Sequence, residues 1–185
     1  MNFLKKLYAV LFVWDFPIAS EAETKSADAV VTMALIPLSW PGSASSSGNR
    51  IMAKVAREIY EKYGKPLLIS EEVAYADPEI KYVHISEDPI GVGESSVVWN
   101  THAIAKLQKE FCDKNGWKRV IVIASPDHML RACWTYQKLG LKTLSAPMPK
   151  SRKSYRYPGS FQYSVIGFRI REMICRFLFW RWGYI

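Results

Sequence analysis

The sequence is poor in the features that would declare a chemistry outright. Its three cysteines, Cys112, Cys133 and Cys175, are odd in number, widely spaced and without a Cys-x-x-Cys pair. That argues against a disulfide framework and against a zinc knuckle, and points to reduced thiols buried in a cytoplasmic domain. No metal site has defensible ligand spacing: His128 with Cys133 offers two ligands where zinc normally takes three or four. Neither a Gly-x-Gly-x-x-Gly nor a Walker motif is present, so the phosphate-loop signal is weak. The apolar run near the N-terminus, Leu7 to Trp14, falls far short of the roughly 20 residues that span a bilayer. Acidic residues are scarce from Ala146 onward, where Glu172 stands alone against eight Lys and Arg. This last stretch therefore carries nearly all of the formal charge of +8.

What is present is the composition of one globular domain. Apolar residues make up 49% and charged residues 23% of 185, enough for a single core and too little chain for two large ones. Residues 1–27 read as an N-terminal helix and a polar connection, and residues 28–185 as one α/β domain. The N-terminal segment has two readings. Lys5 and Lys6 before an apolar run, with Ser20-Glu21-Ala22 after it, resemble a signal or membrane-surface segment; Asp15 and Phe16-Pro17 favour a short amphipathic helix docked on the domain.

Strand and helix patterns then alternate. Ala29 to Ile36, Pro66 to Ser70, Glu79 to Ser86, Val120 to Ile123 and Leu141 to Leu144 read as strands, the third at an edge. Helices are expected from about Arg50 to Gly64, from Ser95 or Ser96 to Lys114, from Pro126, and from about Phe161 to Trp182. This predicts a three-layer Rossmann-like fold: a mostly parallel, doubly wound sheet with helices on both faces. In the third-strand crossover helix, Asn100, Ile104, Leu107 and Phe111 form the expected buried stripe, which places an amide against the sheet. The last helix is apolar nearly all round, with Arg169, Glu172 and Arg176 as a narrow polar line that pairs within itself. Its expected place is docked on the sheet; contact with a membrane or a nucleic acid is the alternative.

The stretch Val120 to Leu141 organises the site. A strand buried on both faces runs into Ser125, a good N-cap, and Pro126, suited to the first helical position. His128 and Arg131 follow on one side of that helix. A helix N-terminus with an imidazole and a guanidinium beside it suits an anion. Glu71 and Glu72 stand at the end of the second strand, where adjacent carboxylates on an extended chain point to opposite sides and one at most reaches a site.

The run Ile121-Val122-Ile123-Ala124-Ser125-Pro126-Asp127-His128-Met129-Leu130-Arg131-Ala132, followed by Gly140-Leu141, resembles the hallmark of the YdcF-like family, a domain of unknown function that includes the SanA and ElyC envelope proteins. Asp28-Ala29-Val30-Val31, the Arg50 helix, Ser70, Asn100 and Arg171-Glu172 fall in that family's order. The sequence departs from it at Ile36-Pro37-Leu38 and at Ser70-Glu71-Glu72, where the family has glycines, and at Val97 and Trp99, where it has polar residues. The resemblance implies a nucleotide-, S-adenosylmethionine- or phosphate-type ligand at the carboxyl ends of the strands, with Arg50, Ser70, Glu71, Glu94, Asn100, Ser125 and Arg131 around it. Arg131 would hold an anionic group bidentately, His128 would be the candidate general acid or base, and Glu71 or Glu94 would accept ribose hydroxyls.

A second reading is a non-catalytic interaction protein, envelope-associated or otherwise, using its basic, aromatic C-terminal region on a membrane surface or an acidic partner. Arg169, Arg171, Arg176 and Arg181 discriminate: if they pair internally, this reading loses its basic surface. No sequence-specific nucleic acid is expected. Substrate, reaction and oligomeric state lie beyond the sequence.

Overall fold

Val120, Ile121, Val122 and Ile123 carry no polar side chain on either face because helices cover both. The computed structural model of the chain describes residues 3–14, 16–34, 47–86, 97–149 and 165–185. Five strands, β1 (Ala29–Thr32), β2 (Leu67–Ser70), β3 (His84–Ser86), β4 (Arg119–Ile123) and β5 (Lys142–Ser145), form one parallel sheet in the order β3-β2-β1-β4-β5. The helices are α1 (Phe3–Phe12), α2 (Glu21–Ser26), α3 (Ser47–Tyr63), α4 (Glu71–Ala76), α5 (Val97–Lys114), α6 (Pro126–Lys138) and α7 (Val165–Arg181).

The strand order dictates the layers. On one face, Val30, Leu67, Ile69, Ile121 and Ile123 pack under Met52, Val55, Ala56 and Ile59 of α3. On the other, Val31, Leu68, Val120 and Val122 pack under Ile104, Ala105 and Cys112 of α5 and Met129, Ala132, Cys133 and Tyr136 of α6. Alternate residues of each strand serve opposite faces, as pleating requires. The result is the three-layer, Rossmann-like α/β architecture that the sequence predicts. Its order reverses between β1 and β4, and the crevice outside their carboxyl ends is where such sheets take ligands. All three cysteines are free and buried.

Several local expectations are corrected. The supposed connection after Ser20 contains α2, held by a capping box: the Ser20 hydroxyl accepts from Glu23 N at 3.2 Å, and the Glu23 carboxylate accepts from Ser20 N at 2.9 Å. Just before it, the chain is stitched to β5, with Ser145 N donating to the Pro17 carbonyl at 3.0 Å and Ala19 N to that of Ser145 at 2.9 Å. The first strand ends at Thr32. Of the turn-rich stretch Pro41 to Asn49, residues 41–46 lie outside the described residues, and Ser47, Gly48 and Asn49 open α3 instead of forming a loop. Glu71 and Glu72 open α4 instead of continuing an extended chain, and Glu72 is the more buried of the two. The expected third strand shrinks to β3.

The buried stripe of α5 is Thr101, Ile104, Ala105, Gln108 and Cys112, whereas Leu107 is exposed. Gln108 can be buried because its amide is satisfied, donating to the Thr32 carbonyl at 3.2 Å and accepting from the Tyr136 hydroxyl. In α7 the inversion is larger. The polar line faces inward, with Glu172 and Arg176 buried, while Ile166, Ile170, Ile174 and Phe177 are exposed. This helix packs against α1 and α6.

Candidate functional site

The turn from β4 into α6 has the form the sequence predicts, with one difference. Ser125 is the N-cap by position, extended at φ −60 and ψ 148, and its carbonyl accepts from His128 N and Met129 N at 2.9 and 2.8 Å. Its side chain makes no capping bond. Pro126 takes the first turn, so the helix starts cleanly and His128 and Arg131 project from the same side.

Both reach Glu172 of α7. Its carboxylate accepts from Arg131 Nε and Nη2, each at 2.9 Å, and from Arg176 Nε at 3.3 Å; His128 Nδ1 stands 3.4 Å from Oε2. Arg131 Nη1 donates to Thr101 Oγ1 of α5 at 2.8 Å. Arg176 donates to the carbonyls of Val13 and Asp127 at 2.7 and 3.0 Å, and Arg169 Nε donates to the Asp127 carboxylate at 3.1 Å. The Trp14 ring lies 4.8 Å from the Arg169 guanidinium and 4.2 Å from that of Arg176, and Phe179 lies 5.0 Å from that of Arg131. One buried carboxylate thus joins α6 to α7, with α5 and the chain after α1 attached through the arginines.

The electrostatics follow from that burial. Burial alone would raise the Glu172 carboxyl, but the Arg131 guanidinium, then His128, hold it far below the usual carboxylate range. His128 is pushed down to about 4, first by burial and then by the Arg131 charge, so its imidazole is neutral at pH 7. With Nδ1 directed at a carboxylate, the neutral ring donates from Nδ1 and keeps Nε2 as an acceptor. Burial raises Asp127, partly offset by its hydrogen bond from Arg169. Among the described residues the cluster brings the Arg131, Arg169 and Arg176 guanidiniums together with the Glu172 and Asp127 carboxylates.

A second feature lies along that edge. The hydroxyls of Ser70 and Ser86, at the last positions of β2 and β3, and of Ser125, two residues beyond β4, are buried and have no hydrogen-bond partner among the described residues. Ser70 and Ser86 are register partners, and strand alternation from Leu68 and His84 sets them on the α5/α6 side of the sheet. Ser70 N, in contrast, is satisfied by Thr32 Oγ1 at 2.9 Å. A buried hydroxyl without a partner costs about 1–3 kcal/mol, so three along one edge call for a physical reason.

The expected site residues divide accordingly. His128 and Arg131 come together through Glu172, and Ser70 and Ser125 stand at the carboxyl edge. The bidentate edge of Arg131 is taken by Glu172, which corrects its reading as the free clamp for an anionic ligand. Arg50 is exposed in the first turn of α3, in the opposite layer. Glu71 is half-buried at the start of α4, next to the more deeply buried Glu72. Glu94 and the Asn100 side chain lie outside the described residues; Thr101 supplies the polar contact from α5. His84 stacks on Phe111 and His102 on Tyr184, with centroids 4.7 and 4.2 Å apart, which gives both rings packing roles. Of the four discriminating arginines, Arg169 and Arg176 pair internally and Arg171 lies against Phe168, leaving Arg181 on the surface. Arg152, Lys153 and Arg156 are outside the described residues.

Sequence reasoning missed Thr101, Ser86, Asp127 and the central place of Glu172. The available signal for Glu172 was its isolation: a lone acid in a basic, apolar helix is a natural partner for a distant cation. Among the described residues no group of three or more His, Cys, Asp or Glu could hold a metal ion. Comparison with protein-family models, with curated proteins and with solved structures finds no match.

Proposed function

We propose that this chain is a divergent YdcF-like protein that binds a small anionic molecule of nucleotide, S-adenosylmethionine or phosphate type in the crevice at the carboxyl ends of β1 and β4. The observation that carries this reading is the row of buried, unpartnered hydroxyls of Ser70, Ser86 and Ser125. A ligand whose oxygens bond them would offset the desolvation they suffer in the free protein. Two further observations favour an anion. The N-terminus of the 13-residue α6 opens at Ser125, and the guanidiniums of Arg131 and Arg176 are buried behind it.

Binding is better supported than catalysis. A general base near pH 7 needs a pKa close to 7, and His128 lies near 4. At neutral pH it is a hydrogen-bond acceptor oriented by Glu172, and Arg131 acts by fixing Glu172.

The test is thermal unfolding and calorimetry with S-adenosylmethionine, ATP, a sugar phosphate and inorganic phosphate, on the wild-type and Ser125→Ala proteins. A ligand at 100 times its Kd stabilises the fold by about 2.7 kcal/mol. A shift in the wild type that is lost in Ser125→Ala supports the reading and names the ligand class. No shift with any of them, from a folded protein, refutes it.

A further inference from the structure

We propose that α1 and α7 together form a docking face for an anionic lipid surface, on which the protein lies without crossing the bilayer. The two helices pack on one another, and each exposes an apolar stripe. On α1 the stripe is Leu4, Tyr8 and Phe12, at four-residue spacing; on α7 it is Ile166, Ile170, Ile174 and Phe177. Ile166 and Leu4 are 65% and 68% exposed, far more than the protein's interior-facing apolar residues. Such a concentration of large apolar side chains in water marks an interaction surface.

Charge selects the occupant. Within α1 and α7 the only acid is Glu172, and it is buried in the ion cluster, so it does not reach the outer face. Among the described residues of these two helices the exposed charges are cations, Lys5 and Arg181. An apolar stripe flanked by cations fits the boundary between acyl chains and anionic headgroups. A second copy in a two-fold dimer would present the same cationic margin and so supply no opposite charge to Lys5 and Arg181. The aromatic residues agree with this choice. An open cleft of about 310 Å³ between α1, α6 and the end of α7 is lined by Val10, Trp134, Trp180 and Ile185, with Lys138 among its lining residues. Indole rings with a lysine alongside suit an acyl chain below a phosphate-bearing headgroup. Among the described residues no helix is long and apolar enough to cross a membrane, and interfacial helices need not be.

The inward turn of the α7 arginines makes this face possible. Because Arg169 and Arg176 are committed to Asp127 and Glu172, the outer side of α7 is left to isoleucine and phenylalanine. The surface is therefore apolar first and cationic at its margins.

The test is co-sedimentation of the full chain with phosphatidylcholine vesicles, with and without phosphatidylglycerol, alongside sedimentation velocity without lipid. The proposal expects binding to phosphatidylcholine vesicles through the apolar stripes, strengthened by phosphatidylglycerol and weakened by salt to the modest extent that Lys5 and Arg181 contribute. The Ile170→Asp, Ile174→Asp double variant should bind about tenfold more weakly or worse, with urea denaturation run alongside to establish that it stays folded, since each position is about half exposed. Wild-type tryptophan fluorescence should be quenched by vesicles with brominated acyl chains, a readout that needs no variant. Absence of vesicle binding and quenching overturns the proposal. So does a stable dimer that the double variant dissociates, which would assign the face to a second copy.

Discussion

Arg131 and Glu172, 41 residues apart in the chain, form a bidentate ion pair with both N–O distances at 2.9 Å and both side chains almost wholly buried. The pair ties α6 to α7 and joins two further cationic or imidazole groups to the same carboxylate.

Removing that carboxylate leaves Arg131 and Arg176 buried without their counter-ion. Glu172→Gln should lower the unfolding free energy by about 3–5 kcal/mol, measured by urea denaturation. Replacing Glu172 and Arg131 together by methionine should cost less than the sum of the two single changes, because each single change leaves a lone charge behind. Additive losses would show that the two side chains are not coupled.

Acid should destabilise the fold in a defined window. His128 titrates near 4 in the folded chain and near 6.5 when unfolded, so between these values the unfolded chain binds more protons. Its contribution is present above pH 6.5 and is lost as pH falls toward 4, by an amount on the order of 3 kcal/mol. Glu172, depressed by its arginines, adds a further loss as pH falls below the ordinary carboxylate value and through its own folded value. Unfolding midpoints from pH 8 to about 2 in Glu172→Gln and wild type separate the two slopes, the upper range reporting His128 and the range below the ordinary carboxylate value reporting Glu172.

The free protein should tolerate loss of the edge hydroxyls. Ser70→Ala and Ser125→Ala each remove a buried oxygen that has no partner, so the ligand-free unfolding free energy should stay level or rise by up to about 1 kcal/mol. A clear loss of stability would mean that these hydroxyls are structurally bonded, and would remove the main support for a ligand at this edge.

The start of α2 depends on one serine. Ser20→Ala deletes the acceptor for Glu23 N and should lower the midpoint by a few degrees, while Ser20→Asp, which can still accept, should retain most of it. Thermal scans by circular dichroism decide it.

How much of this was legible varies by element. The Ser20-x-x-Glu23 capping box is a local pattern and so legible in sequence, although the same residues after an apolar run also resemble a signal-peptidase site. The Asn100 stripe failed by one residue, because Gln108 carries its own partners and enters the core where a hydrophobic count keeps it out. In α7 the pairing of Glu172 with Arg176 and the docking of the helix were legible, but the direction of its polar line was not, for the same reason on a larger scale.

Local sequence alone determined the alternation of strands and helices, the buried β4, the Pro126 helix start and the common side shared by His128 and Arg131, because each depends on periodicity or on caps within a few residues. Only the tertiary structure decided which polar side chains go inside. Glu172 and Arg176 are buried because Arg131, His128, Asp127 and Val13 arrive from distant parts of the chain to satisfy them, and no window of sequence contains those partners. The same packing turned the isoleucines of α7 outward: once the ion cluster claimed the inner face, the apolar stripe had only the surface left.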